Sequence, residues 1–192
     1  MTVALKDVKP KAVILTTDER YVKNEPTILV LEENISYNGR TCVIRDINKK
    51  EYFKCKNKNT CYTDGKVLKD MNGSKILGIR SIGLLKFKHE IYNPKKAIGT
   101  VAKDYTLSQK ALKLSFHNKA THSEEKLVMK FNNGSKEALI FNSKGENATL
   151  VGRIHFKSNF FKKNYYYIEI APMVDLALMI CFAIAFDTFK HE

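Results

Sequence analysis

The 192-residue chain predicts a mainly β fold, with ten to twelve short antiparallel strands closed into a barrel around an apolar C-terminal helix. Three observations lead there. Leu176 to Phe186 is an uninterrupted run without a polar side chain, and a helix apolar on every face must be enclosed by protein or by lipid. At about 1.5 Å per residue that run spans roughly 16 Å, well short of the ~30 Å hydrocarbon core of a bilayer, so protein is the expected surround. Upstream, the Asn-Gly pairs Asn38-Gly39, Asn72-Gly73 and Asn133-Gly134 each sit between apolar runs, and Lys144-Gly145 marks a further tight turn. Asn and Gly tolerate the positive φ of hairpin turns, so each pair reads as a strand–turn–strand unit. A sheet of that many strands has two edges to protect, and closure around the helix removes both.

Taken in chain order, residues 1–20 form a polar, loosely patterned N-terminal segment, in part disordered, in which Val13-Ile14-Leu15 offers one short strand. The barrel is expected over 21–192. Leu127, Met129 and Phe131 alternate with Val128 and Lys130. Leu150, Gly152, Ile154 and Phe156 alternate with Val151, Arg153 and His155, and Ile168 and Ile170 with Tyr167 and Glu169. Residues 115–125 are polar enough to predict a surface loop or mobile insertion. The helix is expected at about 173–189, with Asp175 capping its N-terminus, where backbone N–H groups lack partners.

The formal net charge is +13, carried mostly by lysine, with arginine only at Arg20, Arg40, Arg45, Arg80 and Arg153. Such a surface attracts polyanions, either nucleic acid or the anionic inner face of a membrane. The N-terminal stretch has no apolar core and carries Asp7, which does not fit a secretory signal. Cys42, Cys55, Cys61 and Cys181 lack zinc spacing and are expected as free thiols in a reducing compartment.

No catalytic constellation is visible. There is no G-x-S-x-G, and Gly78 and Gly83 are not followed by the Lys-Ser/Thr of a phosphate loop. His89, His117, His122, His155 and His191 are scattered, and no metal or cofactor is expected. Glu32-Glu33 and Glu124-Glu125 are neighbours that point to opposite faces of a strand. Asp70-Met71-Asn72-Gly73 lacks the ligand ladder of a calcium loop and reads as a turn. What remains is basic. Lys54, Lys56 and Lys58 alternate and share one strand face. Lys157 and Lys162-Lys163 stand among Phe160, Phe161 and Tyr165 to Tyr167, a mixture suited to phosphates and interfacial lipid.

Three stretches carry a family resemblance: the hairpin Val67 to Arg80, the strand pair from Leu84-Leu85 to His89-Glu90-Ile91-Tyr92, and the tail from Tyr167 through Val174-Asp175 to Ile180. They resemble the LURP-one-related family of the Tubby C-terminal-like superfamily, which also contains the phospholipid scramblases. The likeness covers about residues 25–190. It departs at a strand where members carry Trp, since Ile91 or Tyr92 stands there and the chain has no Trp. The resemblance implies a barrel of about twelve strands threaded by the C-terminal helix, and no enzyme activity. Arg80, Lys86, Lys88, Lys95 and Lys96 fall in the segment where tubby proteins contact phosphoinositides. With Lys162 and Lys163 they form the candidate lipid-binding set.

The functional expectation is a non-enzymatic signalling or tethering module on anionic phospholipids, phosphoinositides among them. It would be cytoplasmic and peripheral at the inner membrane face. The alternatives are a nucleic-acid-binding regulator, which would place it in the nucleus, and a scramblase-like protein whose final helix enters the bilayer. Protein partners are not legible.

Overall fold

A computed structural model describes residues 5–32, 41–60, 63–83, 88–104, 110–131, 136–142, 148–158 and 164–191. Twelve strands are found among them: β1 (Thr27–Glu32), β2 (Cys42–Asp46), β3 (Glu51–Thr60), β4 (Thr63–Lys69), β5 (Lys75–Ile82), β6 (Lys88–Tyr92), β7 (Ala97–Asp104), β8 (Lys110–Asn118), β9 (Ser123–Phe131), β10 (Glu137–Asn142), β11 (Thr149–Ser158) and β12 (Asn164–Ile170). Each pairs antiparallel with its neighbours in chain order, and β12 pairs with β1 from Thr27↔Ile170 to Glu32↔Tyr165, which closes the barrel. The helix α1 (Leu176–His191) threads it.

The expected barrel and plug are both present. From Leu176 to Phe186 every helical side chain is at most 2 % exposed, and the inner faces of the strands close on it. Gly152 makes room for this: a Cβ there would lie 2.4 Å from the Met179 methyl group, so β11 can come this close only without one. No helix of the described residues is long and apolar enough to cross a membrane.

Asp175 caps α1, as its position suggested. Its Oδ1 accepts from the backbone N–H of Ala177 at 3.0 Å and Leu178 at 3.2 Å. Its Oδ2 accepts from the N–H and hydroxyl of Thr16, both at 3.0 Å, and from those of Thr17 at 2.9 and 2.8 Å. The N-terminal segment is thereby tied across the end where the helix enters. Ile14 donates to Met173 O and accepts from Asp175 N, each at 2.9 Å, while Asn118 reaches Val13 and Leu15 from the end of β8. The buried Leu5 begins a short 3-10 turn (Leu5–Asp7) packed on β11. The lone apolar triplet Val13–Leu15 gave little sign of this, because the ties are made by side chains far away in sequence.

Two local expectations are corrected. Residues 115–125 are not a loop: β8 runs to Asn118, β9 starts at Ser123, and only a four-residue turn separates them. His117 faces Glu124 across the ladder at 3.2 Å, while Phe116, Asn118 and Glu125 are buried. Asn118 Nδ2 donates to Glu125 Oε1 at 3.0 Å, so the polar letters that suggested a loop satisfy one another inside. Val151, expected on the face opposite Ile154, is fully buried as Ile154 is, because the register shifts by one residue where β10 meets β11 beside it. The Asn72-Gly73 turn is as expected, with Gly73 at φ +87° and Asp70 Oδ1 accepting from Ser74 N at 2.8 Å. Asn38-Gly39, Asn133-Gly134 and Lys144-Gly145 lie outside the described residues.

Candidate anion-binding face

Strand parity places one side of the barrel in the hands of lysine. In β3, Phe53 and Cys55 point inward, so Tyr52, Lys54 and Lys56 point outward, and the expected sharing of a face by Lys54 and Lys56 holds. The side chain of Lys58 lies outside the described residues. The register then puts Lys54 directly opposite Lys69 of β4, and Lys69 directly opposite Lys75 of β5, at a bulge between Leu68 and Lys69. Like charges facing each other across a ladder are unfavourable. Lys54 Nζ also donates to Met71 O at 3.2 Å, and the three lysines in a row on adjacent strands concentrate positive charge on this face.

Aromatic rings interleave these cations. Lys50 Nζ lies 5.5 Å from the Tyr52 ring centre. Tyr92 of β6 lies flat over Gly78, where a Cβ would come within 2.5 Å of the ring, and is bracketed by Lys75 at 4.4 Å and the Arg80 guanidinium at 4.9 Å. The acids nearby are engaged: Glu90 with Arg80 (Nε–Oε2 2.7 Å), Glu51 with Arg45 (2.7 Å), and Asp70 with its own turn and Arg20 (3.3 Å). Asp46 accepts from the turn backbone at Asn48 and Lys50.

The seven candidate residues do not form one surface. Arg80 projects from the middle of this face. Lys95 and Lys96 are exposed in the β6–β7 turn, at the end of the barrel where α1 enters, with their N–H groups donating to Asn93 Oδ1 at 2.8 Å. Lys88 opens β6 at the opposite end, on the order of 15 Å away along the strand. Lys86, Lys162 and Lys163 lie outside the described residues. The sequence missed Lys69 and Lys75 as partners of Lys54. Their letters are scattered over 22 positions, and only the bulged register aligns them.

Inside the far end, Lys66 Nζ donates to Thr188 Oγ1 at 3.0 Å, Lys103 lies 5.3 Å from the Phe189 ring, and Tyr166 donates to the buried Asp187 at 2.8 Å. Cations there face the negative end of the helix dipole, so these groups stabilise the plug. No group of three His, Cys, Asp or Glu among the described residues is placed to hold a metal.

Comparison with known proteins agrees with the architecture. A family model described as LURP-one-related matches residues 27–187, nearly the whole barrel and the helix within it. The chain belongs to the LURP-one-related family. The crystal structure of an Arabidopsis thaliana protein superposes on this LURP-one-related barrel with a TM-score of 0.66, at 18 % identity, over 93 % of this chain and 99 % of that one. At that identity the likeness speaks for the fold. No curated protein matches the sequence.

Proposed function

We propose that this LURP-one-related barrel is a non-enzymatic module that docks on anionic phospholipid membranes through its lysine face and serves there as a tether or signalling platform. The observation that carries the reading is the cross-strand run Lys54–Lys69–Lys75, continued by the outward Lys56 and Arg80 and by Lys95 and Lys96 at the adjoining turn. Phosphate oxygens would give these lysines charge-assisted hydrogen bonds beyond the partners they already have. Phosphoinositides, with several phosphates on one headgroup, would bridge more of these lysines than a singly charged lipid. The cytoplasmic leaflet is the matching surface. A nucleic-acid reading fits less well, because Tyr52, Tyr92 and Tyr167 each lie beneath a lysine or arginine and so do not offer bases an open stacking face.

The test is co-sedimentation with neutral, phosphatidylserine and phosphoinositide vesicles at matched surface charge. Lys69→Glu should lower binding several-fold. It should also leave the Tm unchanged or raise it, since it replaces two repulsive cross-strand pairs with attractive ones worth a few tenths of a kcal/mol or more. Equal binding by Lys69→Glu and wild type would remove the lysine run from the reading. Binding that follows charge alone would reduce the site to a polybasic surface without headgroup preference.

A further inference from the structure

The turn joining β2 to β3 carries Ile47, which is 59 % exposed and is the only large hydrophobic side chain that is exposed among the described residues. One exposed aliphatic is ordinary by itself; its setting is not. Asp46 fixes the turn from both sides. Its Oδ1 accepts from Asn48 N at 2.8 Å and Lys50 N at 2.9 Å, its N–H donates to Lys50 O at 2.9 Å, and its carbonyl accepts from Lys49 N at 3.0 Å. Lys49 completes the turn at φ +66°, in the left-handed region that non-glycine residues enter at a cost. The turn is therefore preorganised, with Ile47 at its tip and Lys49 and Lys50 exposed beside it.

A groove of mixed character continues behind the tip. Among the described residues the register pairs β1 with β2 at Leu29↔Asp46 and Val30↔Arg45, and a groove of about 380 Å³ borders this short seam. Val30, Val43, Tyr165 and Tyr167 line it together with the charged Glu32, Arg45 and Asp46, and Ile47 and Lys49 of the turn also border it. On the other side, Tyr52 and Lys54 lead from the turn directly into the lysine run.

We propose that the Asp46–Lys50 turn is a membrane wedge, in which Ile47 enters the headgroup–acyl boundary of an anionic bilayer while Lys49 and Lys50 meet the phosphates. The inference rests on the membrane reading above and adds an orientation to it. The barrel stands with the helix-entry end toward the lipid, where Lys95 and Lys96 also lie, and Lys88 is turned away. A protein partner is a poorer fit, because a stable interface needs some 800 Å² on each side around buried anchors, which one isoleucine does not provide. A bilayer needs little more than an apolar side chain framed by cations and a rigid support.

The chain contains no Trp, so Ile47→Trp in the 192-residue chain makes a single reporter at the tip. With phosphatidylserine vesicles its emission should shift to the blue and be quenched by lipids brominated on the acyl chain. Ile47→Asn, which leaves the charge unaltered, should weaken vesicle binding about tenfold, the effect of keeping one aliphatic side chain out of an apolar layer, with Tm unchanged. Co-sedimentation of Ile47→Trp without a shift or quenching would overturn the wedge and leave the lysine face standing. Failure of wild type to bind any anionic vesicle would overturn both.

Discussion

Asp175 joins positions nearly 160 residues apart: one carboxylate oxygen serves the first turn of α1, and the other serves Thr16 and Thr17. Replacing it with Ala leaves buried N–H groups at both places without their acceptor. The expected loss is about 3 kcal/mol or more, above the usual cost of a lost helix cap because two segments lose their partner together. Thermal denaturation should show that fall, and limited proteolysis should open first near Val13 to Thr17. If Asp175→Ala melted with wild type, the carboxylate would not be the tie it is taken to be. The cap was legible from an Asp just ahead of an apolar run, whereas the threonines were not, since nothing in their own neighbourhood points to residue 175. The thiols act at the same scale. Burial pushes Cys55 up to about 12 and Cys42 and Cys181 upward as well. A folded thiol then stays neutral while an unfolded one ionises near its ordinary value of 9. Its contribution is complete below about pH 9 and is lost as the pH rises toward 12. Denaturation midpoints should therefore fall between pH 9 and 11 less steeply for Cys55→Ala than for wild type.

Elements were readable to the extent that their burial is one-sided or complete. Helix α1 needs no pattern, since a run without a polar side chain and without a turn residue leaves few choices, and its short length favours protein over lipid as the surround. The alternations of β9 and β12 are the inward and outward faces of those strands. The β8–β9 hairpin defeated the same rule because Asn118 and Glu125 are buried as a mutually bonded pair, and a binary pattern counts both as surface. The helix also gives the sharpest test of the architecture. Leu178 is fully enclosed, so Leu178→Asp buries a charge with no partner and should abolish folding. Recovery of soluble protein with a cooperative melt would mean that α1 is not the core.

At the scale of the molecule, twelve strands in consecutive order make the barrel predictable once their number and the need to remove two edges are recognised. The face they create was less accessible. The basic clusters were visible as letters, but the alignment of Lys54, Lys69 and Lys75 depends on a single bulge, and the separation of Lys88 from Lys95 and Lys96 depends on which end each turn occupies. One surface thus combines paired lysines, lidded tyrosines and the Ile47 turn, while the opposite end is built around the close of the helix. The consecutive order also has a temporal side. A ribosome delivers the twelve strands before the helix, so hairpins can form while their apolar inner faces still have nothing to close upon. Only when Leu176 to Phe186 clears the exit tunnel does the interior arrive, and β12 can then lock to β1 around it. Until that moment the nascent chain exposes a long, sticky sheet, and its safe passage depends on whatever shields that sheet in the cell.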